Sequence, residues 1–243
     1  MAMYYPMDDI HLNIARGLVK GTHAEHKFGA VPAMSVNTTG TVWDINDTLY
    51  PWSAFSSASV LNIPAVNPSD NGSEVTVYGL DANYELQEET FTVSSSSGVT
   101  GTKPFIRVYR AYYTDTSTNV GNINVRVGST TVLRITAGKA QTLMAIYTVP
   151  AGYTAYLTQG TASIEYGGDA TIDMFVRYFG QTSFRIGHTG EVAGTGMPYH
   201  YNFTTPIAIP EKSDIDVRAN VRSNNSRVTA AFDMVLIKEN LGS

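Results

Sequence analysis

Residues 141–164, QTLMAIYTVPAGYTAYLTQGTASI, decide how this chain is read. Residues 142–149 are rich in β-branched and aromatic side chains, which favour extended backbone. Pro150, Ala151 and Gly152 interrupt that run and a second run of the same kind begins at Tyr153, so the stretch reads as two strands folded back on each other. Nothing in it resembles a catalytic device.

Period-two alternation recurs from about residue 55 onward. Val75 and Val77 alternate with Glu74, Thr76 and Tyr78, and Asp81, Ala82 and Asn83 turn the chain into YELQEETFTV (84–93). FIRVYRAYY (105–113), INVRV (123–127) and TVLRI (131–135) follow, separated by Gly, Asn and Thr clusters. Ile172, Met174 and Val176 oppose Thr171, Asp173 and Phe175. The cleanest one-sided strand sets Ile215, Val217, Ala219 and Val221 against Asp214, Asp216, Arg218, Asn220 and Arg222. The last run, 228–237, is apolar on both faces toward its end, the mark of a mid-sheet strand under another layer. About ten short strands with turn signals every eight to fifteen residues or so, and no fixed-period repeat, predict an all-β chain built as an antiparallel β-sandwich, jelly-roll-like.

The first part of the chain reads differently. Residues 8–19 are expected to form at most one short helix, with Asp8 or Asp9 as cap and Ile10, Ile14 and Leu18 on one face, although Gly17 and Gly21 weaken it. KFGAVPAMS (27–35) and TVWDINDTLYPW (41–52) mix apolar residues with Gly and Pro. Residues 1–54 therefore read as a mostly irregular N-terminal arm laid over a surface, and 55–243 as the sandwich.

Composition narrows the function. Of 243 residues, 43% are hydrophobic and 15% charged, below the usual quarter. Cysteine is absent, which excludes disulfides, zinc–thiolate sites and thiol nucleophiles. A net charge of −5 argues against nucleic acid or an anionic membrane as partner. No apolar run has the length of a membrane span, and the start lacks the order of a signal peptide, so a protein made in a reducing cytoplasm is expected.

The candidate chemical sites are weak. His23 and His26 are able to share a helical face, but no third metal ligand follows at a diagnostic spacing. NPSDNGSE (67–74) has the residue types of a calcium loop without its alternating ligands. Glu85, Glu88 and Glu89 read as solvent-facing charges rather than a glycosidase pair. His188 and His200 have no nucleophile elbow to serve, and GEVAGTG (190–196) has no following helix to present to a phosphate. The expectation is a non-enzymatic chain with no catalytic, metal or cofactor site. Fifteen tyrosines, among them Tyr109, Tyr112, Tyr113, Tyr147, Tyr153, Tyr156, Tyr199 and Tyr201, fit an interface as well as a core.

As an ordered set, VYGLDANYELQEETFTV (77–93), PFIRVYRAYY (104–113), INVRVG (123–128), QTLMAIYTVPAGYTAYL (141–157), TIDMFVRYFG (171–180) and IPEKSDIDVRANVRSNNSRVTAAFDMVLI (209–237) resemble a group of virion structural proteins of tailed bacteriophages. HKFGAVPAMSVNTTGTVWDINDTLYPW (26–52) matches the start of that group, and the likeness spans residues 11 to 238 or so. The resemblance implies a structural protein of the particle. The leading expectation is a capsid decoration, or cement, protein on the outer shell, self-associating as a homotrimer and contacting the major capsid protein or another virion protein. A neck, tail or fibre-base adaptor and a receptor- or glycan-binding module are the alternatives. Arm residues Ile14, Leu18, Phe28, Trp43, Tyr50 and Trp52 are expected to supply the partner-binding area. On that reading, deleting residues 1–40 leaves a folded sandwich that no longer attaches.

Overall fold

In the computed structural model, which describes residues 10–165, 168–194 and 198–239, the deciding stretch does not pair with itself. Its first run gives strand β10 (Ile146–Thr148) and its second β11 (Tyr153–Ile164), and they lie in different sheets. Pro150 to Gly152, with Gly152 at φ 76°, carries the chain across the sandwich instead of reversing it within one sheet. Both runs are buried enough to sit in a core, and period two alone does not say which neighbour a strand takes.

The remaining elements order themselves around that crossing. One sheet runs β1 (Thr22–Met34), β16 (Ser226–Lys238), β11, β14 (Tyr199–Ile209). The facing sheet runs β10, β15 (Asp214–Val221), β12 (Ala170–Arg177), β13 (Arg185–Val192), with β2 (Thr39–Thr41) pairing further along β15. Counting these eight main strands in chain order, the sheets read 1-8-3-6 and 2-7-4-5, the order of an eight-stranded jelly roll. All pairings are antiparallel, and β16 lies between β1 and β11, as its two-sided apolar pattern predicts.

A second sandwich is inserted in the connection between the first and second jelly-roll strands. Its sheets run β6 (Val99–Phe105), β3 (Ser59–Ile63), β8 (Ile123–Val127), β9 (Thr130–Ile135) and β5 (Leu86–Thr92), β4 (Glu74–Leu80), β7 (Arg107–Tyr113). It has its own core, around Leu61, Val75, Val77, Phe105, Ile123 and Leu133, while Leu157, Ile172, Val217, Val228 and Phe232 centre that of the jelly roll. The region expected as one sandwich over 55–243 thus holds one sandwich within another.

The expected arm is the largest difference. Helix α1 (Ile10–Ala15) is shorter than predicted, and the candidate caps Asp8 and Asp9 lie outside the described residues. Residues 22–34 are not irregular: they form β1, paired along its length with β16. The outgoing and returning connections to the inserted sandwich then cross under β1, with the Ala145 amide donating to Val42 O at 2.9 Å and the Val42 amide to Val217 O at 2.8 Å. Gly29 permits that crossing. A Cβ there would lie 2.2 Å from Val42 O and 2.5 Å from the Ala145 nitrogen, backbone atoms that have no room to yield.

Candidate interaction surfaces

Three regions bring chemistry-bearing side chains together: the weld between the sandwiches, the outer face of the β1–β16–β11–β14 sheet, and a cleft beside the weld. At the weld, Asp214 and Asp216 of β15 are 2% and 0% exposed, although the alternation sets them opposite the apolar face. Asp214 accepts from Arg107 Nε at 2.8 Å, Arg177 Nε at 3.0 Å and the Thr148 hydroxyl at 2.7 Å. Arg107 belongs to the inserted sandwich and Arg177 to the jelly roll, so one carboxylate ties the two together. Asp216 accepts from Thr41 Oγ1 at 2.8 Å, Trp52 Nε1 at 3.1 Å and Arg218 Nε at 2.9 Å. Burial pushes the Asp216 carboxyl above its ordinary range, against the pull of Arg218. Both guanidiniums bound to Asp214 also lie over the Trp52 ring, at 5.7 and 5.5 Å from its centroid. Every charge in this set is paired, which suits a structural joint.

The six residues expected to bind a partner divide. Trp43 and Tyr50 (3% exposed each) and Trp52 (8%) belong to the chain's own inner packing, so they supply no outer contact area. They line the passage into the inserted sandwich, where Tyr50 packs edge-on against both tryptophans. Ile14 is buried too, Phe28 is half-buried, and Leu18 is 58% exposed. Apolar residues among Gly and Pro read as an arm because a connection between two cores has the same composition as one laid over a surface.

Phe28 belongs to the second region, and Leu18 follows helix α1 in the chain. The register sets Phe28 beside Ala231, His26 beside Asp233 and Tyr156 beside Val235, all on the sheet face turned away from the jelly-roll core. These side chains are half-buried rather than covered, apart from exposed His26, and His26 Nδ1 pairs with Asp233. Helix α1 flanks this face, leaving Ile10 (52%) and Leu12 (53%) exposed and contributing His11 to a groove of about 670 Å³ with His26, Phe203 and Val235.

The third region is a cleft of about 690 Å³ between the sandwiches, lined by Tyr78, Tyr109, Tyr112, Tyr147 and Tyr153 with His23, Glu25 and Arg110. Arg110 donates to Glu25 Oε1 at 2.6 Å, and His23 Nε2 lies 3.5 Å from Glu25 Oε2. Burial alone raises the Glu25 carboxyl, but His23 and Arg110 outweigh it and hold it below its ordinary range. Behind them Lys27 is 2% exposed, donating from Nζ to the Tyr109 carbonyl, and burial pushes its ammonium down to about 7. The unfolded chain therefore holds that proton more readily between pH of about 7 and 10.5, so stability rises with pH across this window and is lost as the pH falls toward 7. Lys27→Met is expected to flatten the rise by up to about 3 kcal/mol between roughly pH 7 and 9.5, read from urea midpoints. An unchanged slope would place the proton elsewhere.

The other sequence candidates settle simply. His23 and His26 sit on a strand, where a three-residue spacing puts them on opposite faces. Among the described residues no group of three or more His, Cys, Asp or Glu is placed to hold a metal. Asp70 of the 67–74 loop is fully buried and accepts from the amides of Val120 at 2.7 Å and Gly121 at 2.8 Å. It is a loop anchor. Among the tyrosines, Tyr109, Tyr113 and Tyr147 are core residues, whereas Tyr201 is 44% exposed and packs against His188 and Phe203. No described helix is long and apolar enough to cross a membrane.

No family model matches the chain, and no curated protein matches it. Among solved structures it is weakly similar to the VP2 subviral particle of infectious bursal disease virus, at 10% identity and a TM-score of 0.25 over 90% of this chain and 73% of that one. The Gx strain of the same virus gives 11% identity and a TM-score of 0.24 over 91% and 77%. Scores this low fall short of a shared fold.

Proposed function

We propose that this chain is a non-enzymatic structural protein of a virion, and more specifically a decoration protein that binds the outer capsid surface of a tailed phage as a homotrimer. The observation that carries the reading is the architecture: an eight-stranded jelly roll holding a second sandwich in one connection, the two joined by a paired, buried ion network. Jelly rolls recur in capsid and lectin domains, so the support is fold-level analogy. The motif order, which resembles that of phage virion proteins, points the same way. The half-covered sheet face beside α1 offers the kind of mixed, weakly charged area from which particles build many modest contacts.

The test is a double variant, Leu18→Asp with Phe28→Asp, both outside the two cores. It is expected to keep the far-UV circular dichroism of the parent and to lose at least tenfold in co-sedimentation with capsids. Parental binding by the folded variant would remove this face as the docking surface.

A further inference from the structure

At the weld, four connecting stretches of chain converge on a pocket of about 350 Å³. Its rim is Tyr84, Phe179 and Lys212. Tyr84 and Lys212 both hold left-handed backbone, at φ 64° and 58°. That conformation costs a residue with a side chain about 1 kcal/mol or more, whereas glycine adopts it freely. Two such residues meet here: Lys212 Nζ lies 5.2 Å from the Phe179 ring centroid and 6.0 Å from that of Tyr84, and the two rings meet edge-on at 5.6 Å. The Lys212 amide donates to Val149 O at 2.7 Å, which anchors its backbone. Both residues lie in turns, the Tyr84 amide donating to Asp81 O at 2.9 Å, and those turns bring the two side chains together at one pocket.

The charges agree. The lining holds three cations, Arg107, Arg177 and Lys212, against one carboxylate, Asp214, in a chain whose net charge is −5. Both guanidiniums already bond to Asp214. Lys212 Nζ has the two ring contacts but, among the described residues, no ion pair or hydrogen bond. Beside it Phe179 is 60% exposed.

We propose that this pocket binds an acidic saccharide, a ring sugar carrying a carboxylate or sulfate. Lys212 pairs with the acid group, Phe179 and Tyr84 pack against the apolar face of the ring, and Gln181 and Thr182 meet its hydroxyls. An acidic peptide fits less well. The rim consists of turns and loops, so it offers no free strand edge along which a peptide backbone pairs. The volume is at the lower end for small-molecule sites.

Lys212→Gly separates binding from folding, because glycine removes both the cation and the backbone cost. The variant is expected to keep or raise the thermal midpoint. The full-length protein is to be titrated calorimetrically with heparin-derived and sialylated oligosaccharides, with neutral maltooligosaccharide and with poly-glutamate. The expected result is binding of at least one acidic sugar, at least tenfold weaker binding of the neutral one, and at least a tenfold loss in Lys212→Gly. No binding by any acidic sugar, equal binding by the glycine variant, or a preference for poly-glutamate would each overturn the proposal.

Discussion

A chain lacking residues 1–40 is expected not to fold. The deletion removes β1, which pairs with β16 from Thr22 to Met34, and most of β2. Val31 (0% exposed) and Met34 (1%) leave the jelly-roll core, and burying one such side chain is worth about 1.5–3 kcal/mol. The Glu25–Arg110 bridge to the inserted sandwich goes with them, and β16 becomes an open edge. Against a net stability of roughly 5–15 kcal/mol for a domain, losing those side chains together with the whole β1–β16 pairing leaves too little to hold the fold. A chain lacking only residues 1–21 keeps β1 and is expected to retain a β-type circular dichroism spectrum and a single gel-filtration peak. A soluble, monodisperse β-protein from the longer deletion would restore the detachable arm that composition had suggested.

Asp214→Ala is expected to cost about 3–5 kcal/mol, the range for removing one partner from a buried ion pair. The loss is not that of a hydrogen bond alone. Arg107 and Arg177, with side chains 9% and 19% exposed, would face each other across the weld without a counter-charge. Urea denaturation reads the effect as a lower midpoint. Glu191→Ala is the control, because the Glu191–Arg222 pair at 3.4 Å is 64% and 62% exposed and is expected to matter by less than about 0.5 kcal/mol. Equal effects from the two substitutions would show that the network does not hold the sandwiches together.

These two experiments probe the places where the sequence was hardest to read. Alternation at 171–176 and 214–222 located β12 and β15, because side chains of a strand face opposite sides whatever lies beyond them. The same alternation sets Asp214 and Asp216 opposite the apolar face without saying what they meet, since a polar face turned toward another part of the chain looks the same as one turned toward water. The only hint was Asp214, Asp216 and Arg218 in succession on one face, a set able to pair internally. The hairpin at 141–164 failed for a related reason. Strand character is local, but partner choice depends on contacts with residues 199–238 that no window over the stretch contains. The Lys212 pocket was invisible because its members lie in four connecting stretches far apart in sequence, and left-handed backbone at Tyr84 and Lys212 carries no residue signature of its own.

The most direct test of the decoration role is the number of copies of this chain in a purified virion, counted by quantitative mass spectrometry against the major capsid protein. A protein that covers the shell through the sheet face beside α1 is expected at hundreds of copies per particle. A count of a few to about a dozen would place it at the neck or tail and contradict the account.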